Sequence, residues 1–181
     1  MIIGIVGNKN VGKDTLADYL VENKNFIKYA FADPLKHCLK ELFGLTDEQL
    51  YGNKKEEYDP NWETTPRELL QFFGTEVMQF KIQELLPNLK RTFFIKRFEQ
   101  FINDNPDKSI VVSDIRFQHE LDVVLKYKGI VIKVERKKSS KTFLNHASES
   151  NIDKLTNFTF KIENNKTKED LFNKFNELVV I

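Results

Sequence analysis

A short apolar run, Ile2–Val6, leads straight into Gly7-Asn8-Lys9-Asn10-Val11-Gly12-Lys13-Asp14-Thr15, and this junction constrains the fold more than any other stretch. The run is too short for a helix and rich in β-branched residues, so it predicts a strand buried on both faces. The Gly7–Thr15 segment nearly fits G-x-x-x-x-G-K-[ST], a phosphate-binding loop when it sits between a strand and a helix. Glycines let the backbone turn tightly and bring successive N–H groups toward phosphate oxygens. The helix opening at Lys13 adds its positive end. Gly7 to Thr15 is therefore a candidate site for a nucleoside triphosphate, with the Lys13 ammonium bridging its β- and γ-phosphates. One position departs from the pattern. Asp14 stands where Ser or Thr usually ligates Mg²⁺, and Thr15 comes one residue late, so both are candidate metal ligands.

The rest of the chain alternates strands and helices. Strands are predicted at Ile2–Val6, Ile27–Phe31, Ile110–Ser113, Ile130–Glu135 and Phe158–Ile162. The first helix runs from Lys13 to about Asn23, with Leu16, Tyr19 and Leu20 on one face. Asp33 is the expected cap of a second helix with Pro34 at its first position, carrying Leu35, Cys38, Leu39, Leu42 and Phe43 at helical spacing and ending at Gly44. Thr46 to Glu63 is polar and predicts a surface insertion with a short helix at most. Thr65-Pro66-Arg67-Glu68 has the form of a capping box; its helix should bury Leu69, Phe72, Phe73, Val77 and Phe80. Further helices are expected at about 91–103 and from Gln118 to Tyr127. Thr167 and Asp170 should open the last one, with Leu171, Phe172, Phe175 and Leu178 inward. This alternation predicts an α/β domain with a five-stranded parallel sheet, whose ligands sit at the carboxyl ends of the strands.

Composition narrows the function classes. A length of 181 residues fits one domain, and a net charge of +1 gives no global attraction to nucleic acid or membrane. The single cysteine, Cys38, leaves no internal disulfide and fits a reducing compartment. No apolar run approaches the ~20 residues of a membrane helix, and the start lacks the form of a signal peptide. A cytoplasmic protein is expected, in a bacterium or in a cell infected by a phage or virus.

The arginines point to a second phosphate. The chain has 23 Lys and five Arg, and arginine's planar fork suits bidentate contact with phosphate. Arg67, Arg116 and Arg136 fall where elements point at the presumed cleft. Gln71, Gly74 and Thr75 continue the polar face of the Arg67 helix, and Gly74 there permits close approach of a ligand or a neighbouring element. Asp114 ends a strand in the position of an acid that binds Mg²⁺ through water. Lys36 lies off the apolar face of its helix and is a candidate for an acceptor phosphate. Arg136 opens a basic segment, 136–150, with the features of a lid; His146, Ser148 and Glu149 lie in it.

With these residues assembled, the chain resembles the bacteriophage-type deoxynucleoside monophosphate kinases, a branch of the P-loop kinases related to phosphomevalonate kinase. The resemblance rests on Gly12-Lys13-Asp14-Thr15, Ala32-Asp33-Pro34-Leu35-Lys36, Arg67-Glu68-Leu69-Leu70-Gln71-Phe72-Phe73-Gly74-Thr75, and Ser113-Asp114-Ile115-Arg116-Phe117-Gln118-His119-Glu120-Leu121-Asp122. His146-Ala147-Ser148-Glu149 is a weaker match. The resemblance implies a nucleoside monophosphate kinase-like, three-layer α/β/α fold in a single domain over 1–181, with an acceptor-binding insert at about 34–90 and a lid at about 136–150. It implies transfer of the ATP γ-phosphoryl group, with Mg²⁺, to the 5′-phosphate of a deoxynucleoside monophosphate. Lys13, Arg116 and Arg136 would neutralise charge. Arg136 would also meet ATP, and Asp14, Thr15 and Asp114 would serve the metal. Asp33, Lys36, Arg67, Gln71, Gly74, Thr75, Asp114, Arg116, Gln118 and Glu120 would face the acceptor. The chain is shorter than some members between the second strand and the Arg67 helix, which leaves base preference open. So is the oligomeric state, with a homodimer among the options. Two alternatives stand beside this one: a kinase for another small phosphorylated acceptor, and a P-loop switch that needs no second arginine cluster.

Overall fold

The computed structural model describes residues 1–137 and 152–180. Its strands are β1 Ile2–Val6, β2 Phe26–Tyr29, β3 Ser109–Val112, β4 Ile130–Glu135 and β5 Phe160–Glu163. Its α-helices, in chain order, are α1 Lys13–Lys24, α2 Asp33–Phe43, α3 Asp47–Leu50, α4 Pro66–Gln71, α5 Ile82–Leu85, α6 Phe93–Asp104, α7 Gln118–Lys126 and α8 Lys168–Leu178. The chain divides into two compact units, Met1–Ala30 with Phe101–Ile181, and Phe31–Gln100.

The first unit holds the sheet, in the order β2-β3-β1-β4-β5 with every pairing parallel. β1 is central and buried along its whole length, as its unbroken apolar sequence requires. Alternate residues of a strand face opposite sides. Ile3 and Ile5 join Leu16, Ala17 and Leu20 of α1 and Leu171 and Phe175 of α8 in one core. On the other face, a Cβ at Gly4 would lie 2.6 Å from Ile115 and 3.5 Å from Val124 of α7. Helices thus cover both sides, giving the expected three layers. Full burial of side chains such as Leu16 and Phe175 stabilises the layers by about 1.5–3 kcal/mol each. β1 lies between β3 and β4, so their carboxyl ends bring Gly7, Ser113 and Arg136 to one end of the sheet. Among the described residues, no helix is long and apolar enough to cross a membrane.

The sequence pattern misplaces a few residues here. β2 starts and ends earlier than expected, and β5 begins at Phe160 rather than Phe158. Leu178 is 40% exposed and the following Val179 is buried in its place, because the chain leaves the helix at Val179 with extended backbone.

The second unit is helical. In α2, Leu35 and Leu39 are buried, but Cys38 is exposed and Leu42 is 62% exposed. The buried stripe centres on Leu39, which puts Cys38 and Leu42 on its rim. Asp33 does not cap this helix. Ala32 takes that position, with helical backbone and no side-chain cap, and Asp33 sits inside the first turn, where its carboxylate accepts from Lys36 Nζ at 3.2 Å. The insertion contains α3, opened by a Thr46–Gln49 capping box, and a 3₁₀ turn at Asn53–Glu56. Trp62 ties it to the end of α2, its Nε1 donating to the Phe43 carbonyl at 2.9 Å.

The Thr65–Glu68 capping box forms as the sequence predicts: Thr65 Oγ1 accepts from Glu68 N and Glu68 Oε2 accepts from Thr65 N. Beyond α4 the chain becomes a π-helix, Phe72–Lys81. Hydrogen bonding from i to i+5 winds each turn more widely than an α-helix, so the 3.6-residue phase fails. Phe72 and Phe80, expected inside, are 56% and 48% exposed, and Gln79 is buried instead. Arg91 Nη2 donates to Gln79 Oε1 at 2.8 Å, which satisfies that buried acceptor.

Candidate active site

The loop between β1 and α1 has the conformation that its glycines permit. Gly12 has φ 105°, a value that a side chain makes costly. A Cβ at Gly7 would lie 2.3 Å from the Val134 carbonyl oxygen, so β4 can pass close only beside glycine. Lys13 starts α1 and folds back over the loop, its Nζ donating to the Asn8 carbonyl at 2.9 Å.

A cavity of about 510 Å³ opens beside this loop, lined by Asn10, Gly12, Lys13, Asp14, Thr15, Arg136, Asn164, Lys166, Thr167 and Lys168. Lys13, Arg136, Lys166 and Lys168 outnumber the one lining carboxylate, Asp14. The first turn of α8, which Thr167 caps by accepting from Asp170 N, forms another part of the wall. A polyanion is the chemistry this surface accepts. A hollow of similar size, about 530 Å³, lies in the second unit between Leu85 and Gln100, but it is lined mainly by apolar groups and contains no motif residue.

Asp14 points toward the end of β3: Ser113 Oγ donates to its Oδ1 at 3.1 Å, and Lys28 Nζ lies 4.0 Å from the same oxygen. Its side chain is 75% exposed and open to a ligand. Asp114 follows Ser113 and is half-buried. Arg116 is exposed, while its backbone N–H and that of Phe117 both donate to Glu120 Oε2, at 2.8 and 3.1 Å. Glu120 itself is buried. Burial pushes its carboxyl up to about 8, the nearby Asp114 charge adds to this, and the two backbone donors oppose it. Glu120 therefore supports the Asp114–Phe117 loop from beneath. Gln118 is also engaged: its Oε1 accepts from Thr156 N at 3.0 Å and its Nε2 donates to Asp122 at 2.8 Å.

The remaining candidates belong to the second unit. Lys36 pairs with Asp33 and lies 4.2 Å from the centre of the Tyr51 ring. The Tyr51 hydroxyl is raised above its ordinary value by burial and then by the charge of Asp33. Arg67 Nε pairs with Glu56. Gln71 is exposed, and Gly74 and Thr75 are half-buried. The close approach at Gly74 is to a neighbouring element, since a Cβ there would lie 2.9 Å from Leu35 of α2. His146, Ser148 and Glu149, and most of the expected lid, lie outside the described residues; Arg136 is the part of that segment on the cavity wall.

Sequence patterns miss Asn164, Lys166, Thr167 and Lys168 as cavity residues. Thr167 is legible as a helix cap, and a cap next to lysines is a weak sign of an anion site. Asn164 gives no local signal. Among the described residues, no three His, Cys, Asp or Glu side chains converge on a metal position.

The family model for deoxynucleotide monophosphate kinase matches residues 1–63 and 54–175. A protein of Acanthamoeba polyphaga mimivirus, provisionally named a deoxynucleotide monophosphate kinase, is 36% identical across 96% of this chain and 93% of its own. Among solved structures, TT1252 from Thermus thermophilus superposes with a TM-score of 0.52 at 15% identity, over 98% of this chain and 95% of that one; this likeness concerns the fold alone. A dephospho-CoA kinase from Campylobacter jejuni aligns over 98% and 96% of the two chains, at 18% identity and a TM-score of 0.49. The chain belongs to the deoxynucleotide monophosphate kinase family, and it is a kinase.

Proposed function

We propose that this kinase transfers the γ-phosphoryl group of ATP to the 5′-phosphate of a deoxynucleoside monophosphate, giving the diphosphate. The observation that carries the reading is the cationic cavity on the phosphate loop, bounded by Lys13, Arg136, Lys166 and Lys168, in a chain of this family. The loop and these cations take the donor triphosphate. Lys13 leaves the Asn8 carbonyl for the β- and γ-phosphates and offsets the charge that spreads over the transferring group. Arg67, Arg116 and Lys36 are the proposed partners of the acceptor phosphate, of which Lys36 is paired with Asp33 and Arg67 with Glu56 before the acceptor binds. The acceptor oxygen is already anionic, so the protein supplies position and countercharge rather than a nucleophile or a strong base.

The residues at the cavity fit Mg²⁺. Asp14 is an exposed carboxylate held by Ser113, Thr15 lines the cavity and Asp114 follows Ser113, an all-oxygen set suited to a hard cation that keeps several waters. Asp14 or Thr15, with Asp114 through water, would hold the ion. When bound it neutralises part of the phosphate charge.

The test is a panel of deoxynucleoside and ribonucleoside monophosphates, with phosphomevalonate and coenzyme precursors, at fixed ATP and Mg²⁺. ATP consumption with at least one deoxynucleotide supports the reading. ATP consumption with none of them, but with another phosphorylated acceptor, would replace it.

A further inference from the structure

The side chain of Asn164 reaches the phosphate loop from the opposite end of the sequence. Its Nδ2 donates to the Val11 carbonyl at 2.8 Å in the interior, and only 8% of the residue is exposed. Its main-chain N–H donates to the Glu135 carbonyl at 2.8 Å, so it is fixed to the end of β4 and to the loop together. The neighbouring Asn165 strengthens this junction, accepting from Lys137 N at 2.8 Å. A Cβ at Gly12 would lie 2.5 Å from Asn164 Nδ2, so the amide fills the space that any side chain at position 12 would need. Asn164 Oδ1 is buried and has no hydrogen-bond partner among the described residues. Buried polar atoms left this way are rare and costly. An apolar side chain would remove that cost but leave the Val11 carbonyl without its donor, so the amide is kept at this place for its bond to the loop.

We infer that Asn164 is a positioning residue for the phosphate loop, acting on donor binding through the Val11–Gly12 peptide. A trans peptide directs its C=O and N–H to opposite sides. Anchoring the Val11 oxygen therefore fixes the direction of the Gly12 N–H, at the point where the loop passes into α1 and Lys13. The inference rests on the reading of the loop as the donor phosphate site.

The experiment measures ADP and ATP binding by calorimetry, with Mg²⁺ and no acceptor, for the wild type, Asn164→Ala and Asn164→Leu. Leucine keeps the branched skeleton of the side chain, removes the donor and adds no charge, so it serves if the alanine variant fails to fold. Both folded variants should bind nucleotide on the order of tenfold more weakly. Amide exchange at Gly12 and Lys13 should quicken while protection in β1 and α8 stays unchanged. In turnover, KM for ATP should rise and KM for the acceptor should not. Unchanged nucleotide affinity in a folded variant overturns the inference, as does an equal rise in both KM values. A wild type that binds ADP but phosphorylates no deoxynucleotide removes the proposed reaction and leaves the positioning role supported by the variants. A wild type that binds no nucleotide removes both.

Discussion

Replacing Glu120 by glutamine should flatten part of the protein's stability–pH profile. Glu120 is 4% exposed, and its carboxyl is pushed from 4.5 up to about 8, first by burial and then by the charge of Asp114. Because the folded-state value is raised, the folded chain keeps a proton that the unfolded chain has released. The stability from this group is therefore fully present below 4.5 and is lost as pH rises to about 8. Each pH unit in that window is worth about 1.4 kcal/mol, so the full loss is at most about 5 kcal/mol. Glutamine keeps an oxygen for the Arg116 and Phe117 N–H groups and cannot ionise. Urea unfolding of wild type and Glu120→Gln, from pH 4 to 9 with chelator present, measures the difference. The wild type should lose stability relative to the variant as pH rises through the window. Parallel profiles would refute the burial argument, and with it the structural role assigned to Glu120.

Other residues give separate tests. Gly12→Ala should destabilise the fold by about 1–2 kcal/mol through its left-handed backbone, and it should abolish ADP binding because its Cβ displaces Asn164; thermal denaturation and calorimetry read the two effects. Lys13→Ala should lower kcat by about 100-fold or more with the melting temperature little changed, measured in the turnover assay beside a thermal melt. Arg67→Ala should raise KM for the acceptor about tenfold to a hundredfold, the range expected for losing a charged hydrogen bond, and leave KM for ATP unchanged; a rise in the ATP KM instead would move Arg67 to the donor side.

The sheet and the phosphate loop are legible in the sequence because their signals are local. Ile2–Val6 is a buried strand by composition, Gly12 and Lys13 mark the loop, and the capping residues Thr65 and Thr167 open helices where the sequence says. The π-helix is not legible. Nothing at Phe72 or Phe80 distinguishes a wide turn from an ordinary one, and the 3.6-residue phase puts both phenylalanines on the wrong side. Asp33 has a capping residue's chemistry, but the helix starts one residue earlier and its carboxylate goes to Lys36. The burial of Glu120 is not legible in the sequence, because a motif records chemistry and not burial. Asn164 is invisible there because its meaning lies in a contact 153 residues away.

The central claim is tested most directly by following the phosphorus atoms. With ATP, Mg²⁺ and each deoxynucleoside monophosphate in turn, ³¹P NMR should show ADP forming together with a new diphosphate on the acceptor, and Lys13→Ala should suppress both. ATP that stays intact with every deoxynucleotide, or that yields only inorganic phosphate, would contradict the account.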